Sequence, residues 1–78
     1  MHDRIEASEN LRRALLAASE KIVAQPERGL PAPRPYPYLG RLGFAWIKSG
    51  RYWIAYRTRP RPVIMAVFYE SADIPGRM

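Results

Sequence analysis

Cysteine is absent and the one histidine is His2, so the 78-residue chain has no disulfide framework, no thiolate nucleophile and no His/Cys metal cluster. Long apolar runs are missing as well. The longest, Val63 to Tyr69, falls far short of the roughly 20 residues that a bilayer-crossing helix needs. No basic and then apolar leader follows Met1, and no phosphate-cradling glycine loop occurs. A cytoplasmic protein that uses neither membrane, metal nor cofactor is the expectation. A domain of this size buries only about 60% of the surface its unfolded chain exposes. With no covalent staple available, a partner is the expected further source of stability.

The charge that is present is unevenly placed. Residues 1–25 carry four basic and four acidic side chains, whereas residues 26–78 carry nine basic and three acidic, so the whole net charge of +6 lies in the second part. Such a surface attracts an acidic partner, whether nucleic acid, ribosome or acidic polypeptide, and otherwise serves solubility.

From about Ile5 to Ala24 the sequence is helical in pattern. Leu11, Leu15, Ala18 and Ile22 fall on one stripe, Asp3 or Ser8 is placed to cap the start, Glu9 can pair with Arg13, and Pro26 stops the run. The polar face has no lysine and arginine surplus, which argues against a membrane-surface helix. Residues 26–40 hold five of the eight prolines, and neither helix nor central strand can run through them. They read as a stiff link from helix to sheet, with a proline-rich ligand for an aromatic groove as the alternative. Three strands follow, at about 41–48, 52–57 and 63–69, the first two forming a hairpin around Ser49 and Gly50. Because Val63 to Tyr69 is apolar at every position, it is expected to be the central strand, buried on both faces. The tail after Glu70, with Pro75 and Gly76, is expected to leave the sheet. The fold class is then α+β: one helix packed on a three-stranded antiparallel sheet, in a single domain spanning 1–78, with the second face of the sheet open.

Three segments resemble the RelE/ParE superfamily of bacterial toxins, also called plasmid stabilisation proteins. Gly50-Arg51-Tyr52-Trp53-Ile54-Ala55-Tyr56-Arg57 looks like the family's G-R-Y-R-I-x-Y-R strand, and Val67-Phe68-Tyr69-Glu70-Ser71-Ala72-Asp73-Ile74-Pro75 is similar to the V-L-H-x-x-R-D-I-P ending of the ParE branch. Ahead of them, Ala24-Gln25-Pro26-Glu27-Arg28-Gly29 matches an F-P-E-x-G signal. The family's opening strand and first helix have no counterpart. The resemblance therefore implies an incomplete module, expected to self-associate or to be bound by an antitoxin segment. Because Arg59-Pro60-Arg61-Pro62 makes one sheet corner a poor edge to pair with, the contact is expected on the helical flank or along the first strand, Arg41 to Lys48.

The RelE branch cleaves messenger RNA on the ribosome by driving a 2′-hydroxyl onto the adjacent phosphate, which calls for a proton acceptor, a cation and a proton donor. Where that branch carries arginine, this sequence has Trp53, and Ser71 or Ala72. None of these side chains can neutralise a phosphate. Arg51, Arg57 and Tyr69 are what would remain of a ribonuclease site. The ParE branch lacks this chemistry and is associated with poisoning DNA gyrase, so the resemblance implies a non-enzymatic toxin neutralised by an acidic antitoxin segment that folds on binding. Arg28, Arg34, Arg59, Arg61 and Arg77 are candidate rim charges for that partner or for the target, and Trp46, Trp53 and Tyr69 are candidate anchors. Alternation alone leaves the faces of Trp46 and Trp53 open, and both are equally candidates for the core. The competing classes are a RelE-like ribosome-dependent endonuclease and a small basic nucleic-acid-binding module using aromatic stacking.

Overall fold

A computed structural model describes the backbone of residues 2–77 and the side chains of residues 8–76. Helix α1, His2–Ala24, is followed by two short 3-10 turns, Pro26–Arg28 and Pro37–Leu42. Then come strands β1, Ala45–Ser49, β2, Tyr52–Arg57, and β3, Val63–Tyr69, and a last turn of helix α2, Ile74–Arg77. The sheet is antiparallel in the order β1-β2-β3. The α+β class expected from the sequence is the one observed.

Helix α1 lies on the sheet through Ala14, Ala18 and Ile22, with Leu15 packed beside them and Leu11 half-buried. The fourfold spacing of the buried residues keeps them over one line of the helix surface. Asp3 and Ser8 both lie inside the helix rather than ahead of it. Glu9 meets Arg12 one turn on, at 3.8 Å, instead of Arg13. Beneath α1 the layer is completed by Ile54 and Tyr56, with Ala45, Ile47 and Val67 around them.

The opposite face of the sheet is not open. Residues 30–42 fold back over it, and Ala32, Pro33 and Leu39 are buried there together with Trp46, Trp53, Ala55 and Ile74. The proline-rich stretch is thus a wall of the core rather than a spacer. Its prolines suit this role because a segment with fixed φ loses little entropy when it is laid down without ladder hydrogen bonds. Leu30 exchanges two 2.7 Å backbone hydrogen bonds with Trp46, so the wall is also stitched to the outer edge of β1. The tail returns as well, and Ile74 is fully buried under the wall.

One boundary and one strand position differ from the sequence expectation. β1 begins at Ala45 and not at Arg41, because Pro37 opens a 3-10 turn that runs to Leu42 and Gly43 ends it at a φ of 77°. β3 is an edge strand, not the central one. β2 occupies the centre, with Trp53, Ile54, Ala55 and Tyr56 all buried. Val63, Ile64, Met65 and Tyr69 of β3 are between 36% and 44% exposed. Continuous apolarity marks a strand that avoids water, but it does not say which neighbours provide the cover.

Candidate functional site

The turn between β1 and β2 is Gly50-Arg51, with Ser49 opposite Tyr52. Gly50 takes a φ of 58° at the first turn position, a conformation that glycine adopts without steric cost. The buried Ser49 hydroxyl donates to the Ala14 carbonyl at 2.8 Å, which fixes the turn against α1. Since Ala14, Ala17 and Gly50 are small, the helix and the turn do not close on each other. A groove of 420 Å³ remains between them, lined by Asn10, Arg13, Arg51, Tyr52 and Tyr69 above that floor.

Tyr52 and Tyr69 are cross-strand partners whose rings meet edge to face, with centroids 5.4 Å apart. They form an aromatic wall with two hydroxyls at its rim. The Arg51 guanidinium stands 3.5 Å from the Tyr69 hydroxyl and 4.0 Å from Glu70, whose other carboxylate oxygen takes a 2.9 Å contact from Lys48. Hydrogen bonding to Tyr69, with the Tyr69 and Glu70 charges behind it, raises Arg51 above its ordinary value. The Lys48 hydrogen bond holds the Glu70 carboxyl below the usual carboxylate range. Among the described residues no carboxylate lines the groove, while two arginines do. Its chemistry is that of a receptor for an anionic group carried next to an apolar or aromatic one.

Of the residues singled out in the sequence, Arg51 and Tyr69 are brought together. Arg57 sits at the far end of β2, opposite Val63, about 17 Å from the groove at 3.3 Å per residue. It cannot share a reaction centre with the other two. Arg59 and Arg61 are exposed in the loop between β2 and β3, and Arg28 is exposed beyond α1. The side chain of Arg77 lies outside the described residues.

The two tryptophans are not surface anchors. Trp46 is fully buried and Trp53 is 3% exposed. Register puts both on the same face, because Trp46 lies opposite Ala55 and Trp53 opposite Lys48. Trp46 stacks on Phe68 at 6.3 Å, and Arg34 rests 5.3 Å over the Trp53 ring from the exposed side. Arg34 is therefore a lid on a core indole. The Trp46 indole N–H is buried with no hydrogen-bond partner among the described residues.

Asn10, Arg13 and Tyr52 complete the groove and were not singled out in the sequence. Arg13 read as half of a helix ion pair, and only the packing of α1 on the hairpin brings it beside a turn 37 residues later. Among the described residues there is no cluster of His, Cys, Asp or Glu able to hold a metal ion, and no helix long and apolar enough to cross a membrane. Compared with known proteins, the chain matches no family model, no curated protein and no solved structure.

Proposed function

We propose that this protein is the toxin of a type II toxin-antitoxin pair of the RelE/ParE kind, acting in the cytoplasm by protein contact rather than catalysis. DNA gyrase is the target that the resemblance to the ParE branch implies. The groove between α1 and the β1–β2 turn carries this reading. Two arginines and a tyrosine pair, with no acid among the described lining residues, suit an extended acidic antitoxin segment that sets a carboxylate between Arg13 and Arg51 and an apolar side chain against Tyr52 and Tyr69. The +6 charge of the chain would speed that encounter. Separation of Arg57 from Arg51 and Tyr69, and a tryptophan where the endonuclease branch has arginine, favour binding over phosphate chemistry.

Induced expression in a bacterial host is the test. The expected result is growth arrest with altered plasmid supercoiling and uncut ribosome-bound messenger RNA. Co-expression of a small acidic protein encoded in the adjacent reading frame should relieve the arrest. Arg13→Glu with Arg51→Glu should abolish that relief. A-site cuts mapped by primer extension and lost in Arg51→Ala would replace this reading with the endonuclease, and growth without arrest would remove both.

A further inference from the structure

The outer surface of the wall carries a second group of aromatic and basic side chains, on the side of the sheet away from the groove. Between Glu27 and Glu70 the sequence has no acidic residue at all, and the wall at residues 30–42 falls inside that stretch. Its 3-10 turn, Pro37–Leu42, decides which side chains face out. At three residues per turn, positions i and i+3 eclipse each other. Leu39 and Leu42 take the inward line, Leu39 fully buried and Leu42 packed on the same cluster. Tyr38 and Arg41 share the next line, and both are exposed, Tyr38 by 56%.

The neighbours of Tyr38 hold it without covering it. Tyr36, at the head of the turn, meets its ring edge to face with centroids 6.2 Å apart. Arg34 stands at the corner of the preceding turn, which the Tyr36 N–H closes on the Pro33 carbonyl at 2.9 Å. Its guanidinium lies 5.3 Å from the centre of the Trp53 ring, and such a contact fixes the place of the charge while leaving its N–H donors at the rim free. Neither Arg34 nor Arg41 has a carboxylate within ion-pair distance among the described residues, and Glu70 is already held by Lys48 and Arg51.

We propose that this surface binds single-stranded nucleic acid, with a base stacked on Tyr38 and phosphates on Arg34 and Arg41. An exposed ring with an uncommitted guanidinium on either side of it in the chain suits an unpaired base and its flanking phosphates. A duplex keeps the faces of its bases stacked inside and would offer this surface its phosphates alone. An acidic polypeptide fits less well. Pro31, Pro33, Pro35 and Pro37 have no N–H for a strand to pair with. The cavities of 420, 320 and 230 Å³, which could anchor a peptide's side chains, take no lining residue from 32–42. Stacking and phosphate contacts carry neither base nor sugar identity, so RNA and DNA strands should bind alike.

The surface is tested on the purified chain by fluorescence anisotropy, with labelled mixed-sequence oligonucleotides of about ten nucleotides at physiological salt. Single-stranded DNA and RNA should bind equally, and a duplex of the same length more weakly. Tyr38→Ala should weaken single-strand binding about tenfold, and Tyr38→Phe, which keeps the ring, should restore it. Arg34→Glu with Arg41→Glu should remove it, whereas Arg13→Glu with Arg51→Glu, at the groove, should leave most of it. Those two double variants lower the net charge by the same amount, so equal losses in both would mean that binding merely follows charge and would overturn the proposal. Absence of binding overturns it too, as does a Tyr38→Ala variant that binds like the parent chain or a preference for duplex. Displacement of the oligonucleotide by polyglutamate of matched charge would give the surface to a protein partner instead.

Discussion

At Gly29 the constraint is closeness rather than conformation. Its φ is −64°, open to any residue, but a Cβ there would run into the Tyr56 hydroxyl and stand 2.7 Å from the Ala45 Cβ. That hydroxyl donates to the Pro26 carbonyl at 2.9 Å, tying the end of α1 to the centre of the sheet, and burial pushes its pKa up. Gly29→Ala should cost about 1–3 kcal/mol, as overpacking does, and Gly29→Ala with Tyr56→Phe should cost less than the two substitutions summed, because one hydroxyl is at issue in both. Urea melts of the three variants check it. Glu70 offers a second test. Its pKa is lowered in the folded chain, so its contribution is complete above the ordinary carboxylate range near 4.3 and is lost as pH falls through the lowered value. Glu70→Gln should flatten the acid limb of melting temperature against pH while leaving the neutral plateau little changed. At this scale the sequence was legible in part. Arg51 and Tyr69 were singled out through the resemblance, in company with Arg57, which lies elsewhere, whereas the common face of Trp46 and Trp53 depended on the turn being two residues long. One residue more or fewer would have put the two indoles on opposite faces.

Among the elements, α1 and β2 were the most readable, because an i, i+4 stripe and an aromatic β-prone run each follow from local pattern alone. Ile22→Ala should cost about 2–5 kcal/mol, since Ile22 is 3% exposed between α1 and the sheet. Leu16→Ala, on the outer face and 55% exposed, should change stability by about 0.5 kcal/mol or less. Thermal melts of the pair separate the buried stripe from the rest of the helix. The wall at residues 30–42 was not readable. Proline forbids ladder bonds but does not forbid burial, and Ala32, Pro33 and Leu39 enter the core without any periodicity to announce it. The order of the strands was hidden for a similar reason. β2 is central because both hairpin partners and both covering layers meet on it, and none of those meetings is local.

For the whole molecule, three stacked layers of helix, sheet and wall leave a basic groove and the apolar β3 edge at the surface, and Tyr69 borders both. An acidic segment held by Arg13 and Arg51 should be released progressively between low and physiological ionic strength. The placement of the indoles adds an optical consequence. Both tryptophans lie under the wall, on the side of the sheet away from the groove. Their emission should therefore be blue-shifted in the native chain and indifferent to whatever fills the groove. Any agent that lifts residues 30–42 should move it to the red while the α1 layer still holds. The protein thus carries an intrinsic fluorophore pair that reports on one of its layers and is blind to the other.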